Sequence, residues 1–97
     1  MNETGIKPIV IEEIRQLARE NGIRRIVLFG SRARGDYWRA SDIDLAVWGG
    51  NIRNFALDVE EETSTLLTFD VVDMDKGVQE SLLESINREG MILYEEI

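Results

Sequence analysis

The chain has 97 residues, 43% hydrophobic and 31% charged, which is enough for one globular domain but not for separate catalytic and substrate domains. It has no cysteine or histidine, which excludes disulfides, thiolate nucleophiles, Ser-His-Asp triads and Cys/His zinc sites. The net charge of −8 disfavours duplex DNA, and no apolar run is long enough to span a membrane. We therefore expect a single cytoplasmic domain over residues 1–97, with part of any acceptor site supplied by another chain.

The first half of the chain alternates helical and extended patterns. Apolar spacing predicts a helix over Pro8–Asn21, and a continuous apolar run predicts a buried strand over Ile26–Phe29. A short helix or helical turn is expected over Arg32–Trp38. In Asp42–Val47, aliphatic residues alternate with acidic or small ones, which predicts a strand that ends at Gly49-Gly50.

The second half repeats this alternation. Asn51 is expected to cap a long helix whose apolar face continues to Leu66. A third strand is predicted over Thr68–Met74, followed by a turn and a helix that starts near Val78 and stops at Gly90. A short edge strand follows over residues 91–94. Strands alternating with helices predict an α/β (α+β) domain in which one small sheet is covered mainly by helices.

A basic segment, Arg24–Arg39, interrupts an otherwise acidic chain. It holds five arginines and one acid, a local charge of +4 that leaves −12 for the rest. Within it, the Gly30-Ser31 turn follows a buried strand and exposes backbone amides of the kind that bind phosphate. Arg32 is the expected phosphate contact, with Arg34 or Arg39 serving instead or bracing the loop. The alternative is a solvated basic face.

Three aspartates on two predicted strands indicate a hard-cation site. Asp42 and Asp44 are two residues apart and therefore point to the same face of a strand. Their mutual repulsion is relieved by a divalent cation, and magnesium prefers oxygen ligands. Asp70 interrupts the apolar pattern of the next strand and is the expected third carboxylate. Asp73 is an odd number of residues away, so it is second choice.

This arrangement suits a two-metal displacement, in which two ions clamp the attacking and leaving oxygens. Asp42 and Asp44 would anchor the metals, and Asp70 would ligate the metal near the attacking hydroxyl and accept its proton. The Gly30 amide, the Ser31 hydroxyl and an arginine would steady the phosphates. The alternative is that the aspartates merely line a solvent-facing strand surface.

These residues resemble a known family. Gly30-Ser31, ten residues, then Asp42-Ile43-Asp44 is similar to the signature of the nucleotidyltransferase superfamily typified by DNA polymerase beta. The longer stretches Gly30–Gly35 and Ser41–Leu45 look like its minimal nucleotidyltransferase (MNT) branch, and Phe69–Asp73 resembles that family's third acidic strand. The likeness covers nearly the whole chain. It implies a small mixed sheet covered by helices, two magnesium ions and ATP as the nucleotide donor.

The resemblance also implies a partner. Minimal domains of this kind commonly pair, as antitoxins, with a helical HEPN-domain ribonuclease toxin in type VII-like systems, and transfer AMP from ATP to a toxin tyrosine. Two alternatives stay open: an antitoxin that neutralises its partner by occlusion without catalysis, and a transferase acting on a small molecule such as an aminoglycoside. All three aspartates being present favours activity over a decayed site.

Overall fold

In a computed structural model, residues 4–96 are described and form one layered α/β fold. The helices and strands, numbered in chain order, alternate as the sequence predicts. They are α1 Pro8–Glu20, β1 Arg25–Phe29, α2 Ser31–Arg34, β2 Ile43–Trp48, α3 Ile52–Glu62, β3 Phe69–Asp73, α4 Glu80–Glu89 and β4 Met91–Glu95, with a 3-10 turn over Met74–Lys76 between β3 and α4.

The four strands form one mixed sheet in the order β3-β2-β1-β4. β1 pairs antiparallel with β2 and β4, whereas β2 and β3 are parallel. Parallel neighbours need a crossover connection, which α3 supplies. Both the mixed sheet and the edge strand β4 are as expected. Consequently the end of β1 and the starts of β2 and β3 meet at one end of the sheet.

The strand alternation sends side chains into two separate apolar layers. Ile43, Leu45 and Val47 pack in the larger layer with α1 and α3, where Phe55 is fully buried. Ala46 lies on the opposite face, in the smaller layer that includes residues of α4. Because side chains two apart share a face, Asp44 belongs to the α4 side of the sheet. Burial of the odd-numbered positions of β2 thus fixes where its acidic residue points.

Two predicted helices end earlier than expected. The helix expected over Arg32–Trp38 stops at Arg34, because Gly35 adopts a left-handed conformation with φ of 94°. The helix capped by Asn51 ends at Glu62, and Leu66, expected on its apolar face, is instead fully exposed (103%) in the following loop. Asn51 does cap the helix, since its side chain accepts a hydrogen bond from the Asn54 amide.

Over the described part of the chain, no helix combines the length and apolar character that crossing a membrane requires.

Candidate active site

The backbone bends sharply at Gly30, at the edge of the candidate site. β1 ends at Phe29, and Gly30 has φ of 77° and ψ of −158° before α2 begins at Ser31. This conformation is essentially restricted to glycine. The Asp44 carboxylate lies directly against the Gly30 backbone, so a side chain on Gly30 would collide with Asp44 Oδ2. Glycine here therefore serves both the turn and the close approach of an acidic group.

The strand register brings two of the predicted carboxylates side by side. Asp44 on β2 is the direct partner of Asp70 on the parallel strand β3. Partners in register share a face, so both carboxylates point to the α4 side of the sheet. Asp73 pairs with Val47 on the opposite face, and its side chain accepts a hydrogen bond from the Asp75 amide at the start of the 3-10 turn. The geometry therefore favours Asp70 over Asp73 as the third acid.

Asp42 lies just before β2 and is held by a residue that the sequence reasoning missed. The Thr68 hydroxyl donates a hydrogen bond to Asp42 Oδ1. The Ile43 amide also donates to the Thr68 carbonyl at 2.9 Å, so the chain segments leading into β2 and β3 run side by side. Thr68 is two residues before Asp70, and the same two-residue spacing would have placed it on the acidic face. Asp42, Asp44 and Asp70 are called the site aspartates below.

The site aspartates repel one another. Partial burial raises the pKa of Asp44, and the nearby negative charges of Asp70 and Asp42 raise it further. The positive charges of Arg34 and Arg32 act in the opposite direction on the same pKa, but do not offset the rise. This environment disfavours the charged form of Asp44, and a bound cation would stabilise that charged form.

This raised pKa predicts a pH-dependent stability. Between the ordinary aspartate pKa and the raised one, the native state binds the Asp44 proton more tightly than the unfolded chain does. The stability contribution of this carboxyl is thus present at acidic pH and lost as the pH rises through the native pKa. In the absence of divalent cations, we expect Asp44→Asn to melt at a higher temperature than the unaltered protein at neutral pH. The melting temperatures of the variant and of the unaltered protein, measured by circular dichroism, should become equal toward acidic pH. A lower melting temperature at neutral pH would contradict this expectation.

Asp44 and Asp70 share one face of the sheet and Asp42 lies just before β2 at the same end, but the site aspartates do not form a preformed metal cage. Among residues 4–96, no three acidic, histidine or cysteine side chains converge closely enough to hold a metal ion by themselves. Magnesium does not require such a cage, because one or two carboxylates commonly hold it together with water and substrate phosphates. All-oxygen donors and a carboxylate destabilised by its neighbours fit a divalent cation of this kind.

The structure places Arg32, the expected phosphate contact, in the interior of the protein. Its side chain is only 1% exposed, and its guanidinium donates to backbone carbonyls, including those of Thr4 and Ser41. Arg34, in contrast, is exposed and forms ion pairs with Asp36 and Glu89 at 3.3 and 3.1 Å. The charge of Arg34 reaches the site, since it lowers the pKa of Asp44. Of these two arginines, only Arg34 is accessible to a ligand.

Comparison with known proteins identifies the family. Residues 12–96 match the family model described as polymerase beta, nucleotidyltransferase. A protein of Methanocaldococcus jannaschii, provisionally named a protein adenylyltransferase, is 35% identical over 81 residues, covering 74% of this chain and 79% of its own.

Solved structures agree with the architecture. A crystal structure of a toxin–antitoxin with AMP-PNP superposes with a TM-score of 0.72 and 26% identity, covering 89% of this chain and 73% of that one. The MntA-HepT toxin–antitoxin gives a TM-score of 0.67 over 93% of this chain and 74% of that one. At 21% identity, this second likeness speaks for the fold alone.

Proposed function

The chain belongs to the polymerase beta nucleotidyltransferase family, and on that premise we propose that it is an antitoxin that adenylylates its toxin. In this proposal it transfers AMP from Mg-ATP to a tyrosine hydroxyl of a HEPN-domain ribonuclease. The name of the archaeal relative supports the reaction, and the toxin–antitoxin with AMP-PNP supports both the nucleotide and the class of partner. The observation that carries the proposal is Asp44, held against Gly30 and directly opposite Asp70.

The site aspartates would divide the work of the transfer. Magnesium, when bound, would neutralise the phosphate charges and favour the departure of pyrophosphate. Asp42 and Asp44 would hold the metal, and Asp70 would lie nearest the acceptor hydroxyl and accept its proton. The hydroxyl oxygen forms a bond to the α-phosphorus while the bond from that phosphorus to the bridging oxygen breaks. AMP then remains on the acceptor, and the pair of outer phosphates leaves as pyrophosphate.

The phosphate contacts would come from the Gly30 bend and from exposed cations. The Gly30 backbone lies against the Asp44 carboxylate, and Ser31, a half-buried residue, follows it directly in the chain. Because Arg32 is buried, Arg34 replaces it in this proposal as an exposed cation whose charge acts on Asp44, with Arg39 as the second exposed candidate. Arg34 would give up part of its ion pairing with Asp36 and Glu89 when the nucleotide arrives.

The decisive experiment separates catalysis from occlusion. The domain is co-expressed with its HEPN partner, and the intact mass of the partner and its ribonuclease activity are measured. The unaltered protein should add one or more AMP units to the partner and block its activity. The double variant Asp42→Asn with Asp44→Asn should still bind the partner but add no mass and no longer neutralise it.

A control double variant removes the same two charges elsewhere. Glu61→Gln with Glu62→Gln alters two exposed carboxylates near the end of α3 and should retain full transfer. If the aspartate double variant still neutralises the partner, occlusion replaces catalysis as the function. Transfer to an aminoglycoside but never to the partner would instead establish a small-molecule enzyme.

A further inference from the structure

Arg32 is a buried cation without a carboxylate partner among the described residues, which is an unusual position for an arginine. It is only 1% exposed, and its guanidinium nitrogens donate to backbone carbonyls. A charge buried at this cost is retained only where its hydrogen bonds are well satisfied. Those bonds therefore indicate what the side chain does.

The guanidinium joins three separate pieces of chain. Its Nη1 donates to the Thr4 carbonyl at 2.9 Å, and its Nε donates to the Ser41 carbonyl at 3.0 Å. Its Nη2 donates to the Arg39 carbonyl at 3.1 Å and, at 3.4 Å, to that of Trp38. Its Cζ atom lies over the Tyr37 ring, 4.8 Å from the ring centre. One side chain on α2 thus holds both the N-terminal segment and the loop over residues 36–41.

That loop leads directly into the first site aspartate. No helix or strand is present between Gly35 and Ile43, and Ser41 is the residue immediately before Asp42. Thr68 holds the Asp42 carboxylate from the side of β3, while Arg32 holds the preceding carbonyl from the side of α2. The position of Asp42 is therefore determined from two sides, and Arg32 accounts for one of them.

We propose that Arg32 is a positioning residue for nucleotidyl transfer: it holds the 36–41 loop so that Asp42 keeps its place beside Asp44. This inference rests on the proposed function of the site aspartates. It differs from a purely electrostatic role, because a lysine would keep the positive charge but lose the planar fork that reaches several carbonyls at once. Arg32→Lys therefore separates geometry from charge.

The first test measures the loop itself by amide hydrogen exchange. In Arg32→Lys, the amides of Trp38 and Ser41, which bond within the loop, should lose protection about tenfold, while the amides of β3 stay protected. Arg53→Lys is the matched control, since it alters an exposed arginine on α3, outside the loop, and should leave loop protection unchanged. Equal exchange in both variants would overturn the proposal.

The second test links the loop to the metal. Because residues that orient metal ligands typically change affinity by about 10–100-fold, we expect the magnesium concentration for half-maximal Mg-ATP binding to rise by about tenfold in Arg32→Lys. If Arg32 acts through Asp42, the same substitution in an Asp42→Asn background should add less than about twofold. Effects that multiply in the double variant would show that Arg32 acts independently of Asp42 and would overturn the proposal.

A second variant keeps the test decisive if Arg32→Lys does not fold. Tyr37→Leu removes the ring that stacks on the guanidinium but leaves every carbonyl contact possible, and it should reduce loop protection in the same direction by a smaller factor. If the unaltered protein does not bind Mg-ATP, both the proposed function and the positioning role are overturned. Normal Mg-ATP binding with unchanged loop protection in the variants overturns the positioning role alone.

Discussion

Replacing Asp70 by asparagine is expected to lower the rate of AMP transfer at least about 100-fold, within the range that a general base contributes. Asp70 lies directly opposite Asp44, and its side chain is exposed, so it is accessible to an acceptor. Asparagine has nearly the same shape but accepts no proton, and it ligates magnesium more weakly than a carboxylate does. Single-turnover measurement of AMP incorporation into the partner checks this result, and unfolding curves confirm that the fold is retained.

Asp73→Asn is the matched control, since it lies on the same strand but projects from the other face. The Asp73 side chain accepts a hydrogen bond from the Asp75 amide, a role that the amide oxygen of asparagine can take over. We expect this variant to transfer AMP within about twofold of the unaltered rate, in line with the small effect of most substitutions away from a site. If Asp73→Asn is the slow variant and Asp70→Asn the fast one, Asp73 is the third acid.

The sheet and its acidic face were predictable because both depend on two-residue periodicity. The aliphatic residues at Ile43, Leu45 and Val47 must face the core, which forces Asp44 to the other side. The same reasoning placed Asp70 ahead of Asp73. What alternation cannot provide is the register between strands, because that depends on tertiary pairing. The direct pairing of Asp44 with Asp70 is thus a structural finding.

The loop between Gly35 and Ile43 was the least predictable part of the site. Its backbone follows hydrogen bonds to Arg32, an arginine that lies 9 residues before its partner Ser41 and 28 residues after its partner Thr4. No local pattern in the sequence reports such contacts. Residue type and position alone suggest that an arginine beside a glycine-serine turn binds phosphate. Its burial is what distinguishes an arginine that holds backbone carbonyls, as Arg32 does, from one exposed to a phosphate.

The arrangement of the site aspartates is also only partly visible in the sequence. Spacing predicts which faces they occupy, but not how closely their oxygen atoms approach. Thr68 takes one oxygen of Asp42, and the Gly30 bend receives the carboxylate of Asp44. Each carboxylate is therefore held by a different neighbour. The site therefore depends on the close approach of the Gly30 backbone to Asp44 as much as on its acidic residues.

Gly30→Ala is accordingly expected to abolish detectable AMP transfer. The φ and ψ of Gly30 lie in a region nearly closed to other residues, so the substitution should cost about 1–3 kcal/mol of stability through strain alone. The added methyl group would also collide with Asp44 Oδ2 and displace the carboxylate. We expect magnesium-dependent ATP binding to weaken at least about tenfold, comparable to the loss caused by disturbing the support of a metal ligand. Calorimetric titration with Mg-ATP and single-turnover transfer assays measure the two effects.

Gly35→Ala separates the collision from the backbone strain. Gly35 also has a positive φ, 94°, but a Cβ at this position would meet no described atom within 4 Å. It should therefore destabilise the fold by about 1–2 kcal/mol, the usual cost of a left-handed residue, without displacing any site aspartate. AMP transfer at a temperature well below melting should be retained. Equal loss of transfer in both alanine variants would attribute the effect to strain in the α2 turn, and full transfer by Gly30→Ala would show that the close approach of Asp44 to the backbone is dispensable.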